Sequence, residues 1–294
     1  MASTVPWGVI STLPNQNKSK ESKEKGVSSA YSTESIMVNI IQEELNLAKS
    51  KMIEEVIFRD KKLAKLTRDN VAIAEAMMSY DPVYKLSIDA KAGPIKNDKG
   101  EIKFNGSTAY WMTKLKEYFV DPKNPNNCKF EEIIKWAVEA VDRENSTHLN
   151  ADGCGRNEIT QRIINFEKEL YQNLEDPEKY DFKLVNEIAK KTITGNRSRT
   201  NLSFASKFCH YACFYIFEGT DKQDNYPIYD SILKKVLPYY LDFFKNEEKY
   251  NFDCYKVYYD AIDKLIDKLK EETGIDISRN GLDHLLWFYH RSLR

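Results

Sequence analysis

The stretch "NLSFASKFCHYACFYIF", residues 201 to 217, followed by "YPIYDSILKKVL", residues 226 to 237, decides how this chain is read. At about 100° per residue, Phe204, Phe208, Tyr211 and Tyr215 fall on one helical face, with Lys207 on its border. A border lysine can simply snorkel, burying its stem and keeping its ammonium wet. Burial of the amine would instead depress its pKa and free a nucleophile near neutral pH. Pro227 favours an extended approach to the next helix. Asp230 then precedes the apolar-periodic Ile232, Leu233, Val236 and Leu237, so it reads as a helix N-cap. Alone, each residue has a structural explanation. Together they set an aromatic-flanked lysine and an aspartate on adjoining helices.

Upstream lies "KTITGNRSRTNLSFASKFCH", residues 191 to 210, with Lys191, Arg197, Arg199 and Lys207 and no acid. Gly195 and Asn196 permit a tight turn, and Ser203 lies at the start of the following helix. Backbone N–H groups at a helix start, with arginines beside them, suit a phosphate. A solvated basic loop would read the same way.

The rest of the chain is organised around helices. Residues 1–33 hold few bulky apolar side chains after the first ten, and a flexible tail is expected there. Residues 34–106 form a second region, with helices expected from Ser35 and over Ile53 to about Met78, and a hairpin in "PIKNDKGEIKF", residues 94 to 104. Residues 107–294 read as helices throughout. Ser107 caps the first, which carries Trp111, Leu115 and Phe119. Further stripes run through Phe130 to Val141 and Ile159 to Leu170, and a short helix is expected over 181–190. Helices follow at about 203–217, 230–245 and 252–272, and a last one starts near Asn280, with Asn280 as cap and Asp283 at its third position. The class is mainly α with one small β-hairpin and an N-terminal helical extension.

Composition bounds the function. The 294 residues carry a formal net charge of −1, so any affinity for nucleic acid must come from a local patch. No apolar run approaches a membrane span, and the first residues lack the basic start of a secretory signal. Five cysteines without framework spacing fit a reduced, cytoplasmic protein. Cys209 and Cys213 lie one helical turn apart and are expected to be buried or inert thiols.

"SFASK" followed by "YPIYDS" resembles the helix-hairpin-helix DNA glycosylase superfamily, in its 8-oxoguanine glycosylase-like branch. Members of that superfamily with lyase activity place a lysine early in the helix after a DNA-binding hairpin, and an aspartate soon after. "NGLDHLLWFYH" adds an acid and a tryptophan four residues apart, Asp283 and Trp287, which in the archaeal-type branch contact the extruded base. The resemblance spans about residues 107 to 294. It implies a helix-hairpin-helix glycosylase-like fold, with Lys207 and Asp230 catalytic, Asp283 and Trp287 in a base pocket, and Asn196, Arg197, Arg199 and Ser203 on DNA phosphates. The partner implied is double-stranded DNA with a modified or damaged base, bound by a monomer without a membrane. The activity implied is base excision, with strand nicking as AP lyase, in repair or in defence against phage DNA with modified bases. Two features depart from the pattern. The hairpin has a single glycine where the family reads Leu-Pro-Gly-Val-Gly, and the four-cysteine pattern is missing, so no iron–sulfur cluster, metal or cofactor is expected. A DNA-binding module without chemistry and a helical protein-interaction protein are the alternatives.

Overall fold

The computed structural model describes residues 52–80, 93–124, 128–145, 147–149, 155–194, 197–245 and 250–291. The expected tail and the helix from Ser35 lie outside these residues, as does Asn196. Among the described residues ten α-helices dominate, and three two-stranded antiparallel hairpins punctuate them.

The first hairpin pairs β1 (Glu55–Phe58) with β2 (Lys61–Ala64). This corrects the helix expected over Ile53 to Met78. Arg59 and Asp60 both take positive φ, 48° and 61°, which matches the two-residue turn that twisted strands favour. Only then does α1 (Arg68–Tyr80) begin, with the Thr67 hydroxyl accepting from Asn70 N at 3.1 Å. The expected hairpin is present as β3 (Pro94–Lys96) and β4 (Ile102–Asn105). Its turn closes on the Asn97 side chain, which accepts from Lys99 N and Glu101 N, and Gly100 takes φ 77°.

Next comes α2 (Thr108–Val120), capped by Ser107, whose hydroxyl accepts from Tyr110 N at 3.1 Å. The buried Glu144 carboxylate accepts from Thr108 N at the same helix end. Glu144 belongs to α3 (Phe130–Asn145), which packs on α2 and has Ile133, Ile134, Ala137 and Val141 fully buried. The apolar stripe from Ile159 to Leu170 is split between α4 (Gly155–Ile164) and α5 (Leu170–Glu175). Then follow α6 (Lys183–Ala189), the third hairpin β5 (Thr192–Thr194) and β6 (Arg197–Arg199), and α7 (Leu202–Ile216).

α7 is central. It packs against α2, α3, α5 and α6, and nearly every side chain on it is buried. Its partly open positions are Ser203, Lys207 and Phe214, which form one narrow stripe at helical spacing. The lysine is therefore not at the edge of a broad wet face; it sits in the one seam of a buried helix.

A second group of helices closes the molecule. It contains α8 (Ser231–Phe243), α9 (Tyr255–Thr273) and α10 (Arg279–Arg291). α10 packs on α1, α8, α9 and β2. Its first turn is held by Ser278, whose hydroxyl accepts from Gly281 N at 3.0 Å. Ser278 thus takes the capping role expected of Asn280, and Asp283 lies beyond the first turn.

Candidate active site

Lys207 comes from α7, Asp230 opens α8, and Asp283 projects from α10, so three separate helices contribute to one locus. The charges of Asp230 and Asp283 both act on the Lys207 amine. Burial pulls its pKa below the ordinary lysine value, and the two carboxylates pull it back up, with burial the stronger effect.

The aspartate is held by its neighbours' side chains. Segment 226–230 runs between α7 and α9, and its backbone groups are taken one by one. His210 on α7 donates from Nδ1 to Tyr226 O at 3.0 Å, which fixes the tautomer. Tyr255 and Tyr258 on α9 each donate a hydroxyl, at 2.7 Å, to Pro227 O and Ile228 O respectively. Tyr229 N donates to Ser206 Oγ at 2.9 Å. Asp230 then caps α8, its Oδ1 accepting from Ile232 N at 2.6 Å. The cap expected from sequence is present, and it leaves the charge of the same carboxylate acting on Lys207.

Asp283 is 3 % exposed, and neither carboxylate oxygen has a hydrogen-bond partner among the described residues. Burial raises its pKa well above the ordinary value, the Asp230 charge adds to this, and Lys207 opposes it. A buried acid without protein partners is costly and calls for a reason. Trp287, one turn on, is also buried, and the Arg291 guanidinium lies over its ring at 4.7 Å. Tyr258 joins the cluster, its hydroxyl raised by burial and by the charges of Asp283 and Asp230.

The expected phosphate ligands precede or open α7, except Asn196, which lies outside the described residues. β6 carries Arg197 and Arg199 immediately before α7, and Ser203 lies in the first turn of α7, on the same open stripe as Lys207. Asn201 precedes that turn without capping it. Its side chain donates to Lys190 O and Thr192 Oγ1, which ties the hairpin base to α7. Arg162 fastens the other side, donating to Lys190 O and Lys191 O.

Ser206, His210, Tyr255 and Tyr258 were not legible as site residues. Each bonds a backbone group far along the chain, and such a bond leaves no spacing signal in the sequence. Cys209 and Cys213 are buried free thiols on α7. Among the described residues no group of three or more His, Cys, Asp or Glu is placed to share a metal ion. No helix among them is long and apolar enough to cross a membrane. A polar surface hollow lined by Gln172, Glu175, Lys179 and Lys222 shares no residue with the lysine locus.

Comparison with protein families matches residues 103–214 to the HI_0787_N family model, described as an N-terminal domain. The match covers less than half of the chain, from β4 into α7. It includes Lys207 but neither Asp230 nor Asp283. Neither the curated proteins nor the solved structures give a match.

Proposed function

We propose that this protein is a DNA glycosylase with AP lyase activity, which extrudes a modified or damaged base from double-stranded DNA and excises it. The observation that carries the reading is Lys207 in the partly open seam of α7, its amine desolvated enough to lower its pKa while the charges of Asp230 and Asp283 act on it from two other helices. A surface lysine would keep its ordinary proton, whereas a desolvated one releases it more readily and can act as a nucleophile.

Base extrusion is required because a stacked base is out of reach of protein groups. The Nζ lone pair of Lys207 bonds to sugar C1′ while the electron pair of the C1′–N bond leaves with the base, which takes up a proton. Positive charge builds on the sugar as that bond breaks, and the Asp230 carboxylate stabilises it where it develops. Opening of the sugar ring, with O4′ gaining a proton and Nζ losing one, gives an imine between Nζ and C1′. Loss of a C2′ proton then expels the 3′-phosphate and nicks the strand. Asp283, whose carboxyl oxygens have no hydrogen-bond partner among the described residues, and Trp287 one turn on are the groups that would read the base. Helix α6, the hairpin β5–β6 and helix α7 follow one another in the order that the superfamily resemblance implies, with Arg197 and Arg199 on β6 as the proposed phosphate ligands.

Base release across oxidised, alkylated, deaminated and phage-modified duplexes, read by mass spectrometry, tests the activity and names the base. Release from any of them is expected to disappear in Lys207→Ala. Asp230→Asn keeps the cap, since asparagine caps as well as aspartate, and removes the charge. Full excision by that variant would reduce Asp230 to a cap alone. DNA binding without any released base would favour a binding module.

A further inference from the structure

We propose that Ser206 is the positioning residue that sets Asp230 against Lys207, an inference that rests on reading those two as the reacting pair. Ser206 is fully buried and directly precedes Lys207 in α7. Its hydroxyl donates to Ser203 O at 3.1 Å, one turn back on the same helix. That bond aims the O–H along α7 and leaves the oxygen free to accept from Tyr229 N at 2.9 Å. Tyr229 directly precedes Asp230. One hydroxyl therefore joins the residue beside the lysine to the residue beside the aspartate.

The other bonds to this segment do not do the same work. His210, Tyr255 and Tyr258 hold the carbonyls of Tyr226, Pro227 and Ile228, upstream of the aspartate. The bond from Ile232 N to Asp230 lies within the start of α8 and moves with it. At the aspartate end, the hydrogen bond back to α7 runs from Tyr229 N to Ser206. Removing the hydroxyl should let the Tyr229–Asp230 end recede from Lys207 while the three upstream bonds keep the segment in place. Ser206 touches no reacting atom in this scheme; it acts through Asp230.

The test reads the lysine directly, in the full chain without DNA. The pH dependence of Lys207 reductive methylation, followed by peptide mass spectrometry, gives the titration midpoint of its amine. The Asp230 charge raises the midpoint of the Lys207 amine, so Ser206→Ala is expected to lower it. Ser206→Thr, which keeps the hydroxyl, is expected to restore it. In an Asp230→Asn background, Ser206→Ala should cause no further change. A Ser206→Ala midpoint equal to wild type, or an equal shift in the Asp230→Asn background, would overturn the proposal. Ser206→Cys keeps the volume with weaker bonds and repeats the test if the alanine variant does not fold. If neither folds, the hydroxyl serves the fold and the proposal also fails. Activity is scored separately: with active wild type, Ser206→Ala should slow the single-turnover step at nearly constant KM. Absence of wild-type activity on every duplex would sink the glycosylase reading and leave the titration result to decide the role of Ser206.

Discussion

Replacing Asp283 by asparagine should stabilise the protein, and the gain should grow with pH. The carboxyl is buried without hydrogen-bond partners, and its pKa is raised well above the ordinary value by burial and by Asp230. The unfolded chain releases this proton near the ordinary aspartate pKa, and the folded chain retains it to higher pH. Below that ordinary value both states are protonated, so the acid is nearly equivalent to an amide. Above it, each further pH unit costs the folded state about 1.4 kcal/mol until the buried acid ionises. Asparagine titrates nowhere and escapes this cost. Urea denaturation of wild type and Asp283→Asn from pH 4 to pH 7 should show midpoints that nearly coincide at the acid end and diverge upward. Each 1 kcal/mol should appear as roughly 2–4 °C in Tm for a chain of this size. Base release should fall in the same variant, since an amide can neither ionise nor give up a proton to the base. A stability difference independent of pH, or a wild type more stable throughout, would refute the reasoning and make Asp283 a structural partner of Lys207.

Acid should weaken the fold through His210, whose buried ring is held neutral with its pKa lowered to about 4. The stability this provides is complete above the unfolded value near 6.5 and is lost as pH falls through about 4, so His210→Gln should flatten that part of a denaturation profile. Tyr258→Phe removes the donor to Ile228 O and should cost about 1–3 kcal/mol, measurable by urea unfolding at pH 7; no change would mean that the carbonyl is satisfied otherwise. Arg197→Ala and Arg199→Ala should weaken DNA binding alike for all sequences and lower the slope of log affinity against log salt by about one each. An unchanged slope would remove both from the phosphate contacts.

Much of the helical framework was legible because its core faces keep strict periodicity. The stripes through Ile133, Ile134 and Val141, and the Ser107 cap, lie where the residues place them. The region before Met78 misled because charged and apolar residues alternate there without glycine or asparagine at the turn. Arg59 and Asp60 adopt positive φ nonetheless, and β1–β2 forms where a helix was expected. At α10, serine and asparagine both cap well, and the bond from Gly281 N settles the choice on Ser278. A short connection between α7 and α8 made Lys207 and Asp230 neighbours in the sequence reading, whereas the charge of Asp283 reaches Lys207 only through how α10 packs. The burial of α7 on nearly all sides was hidden by Ser206 and His210, polar residues that spend their hydrogen bonds on the backbone.

Lys207 as the amine that joins the sugar is the claim on which the rest stands. Wild type should be incubated with duplex DNA bearing an abasic site, reduced with borohydride, digested and sequenced by mass spectrometry. The sugar remnant should sit on the peptide containing Lys207, and no adduct should form in Lys207→Ala. A remnant on any other lysine, or an equal yield from the alanine variant, would contradict the claim outright.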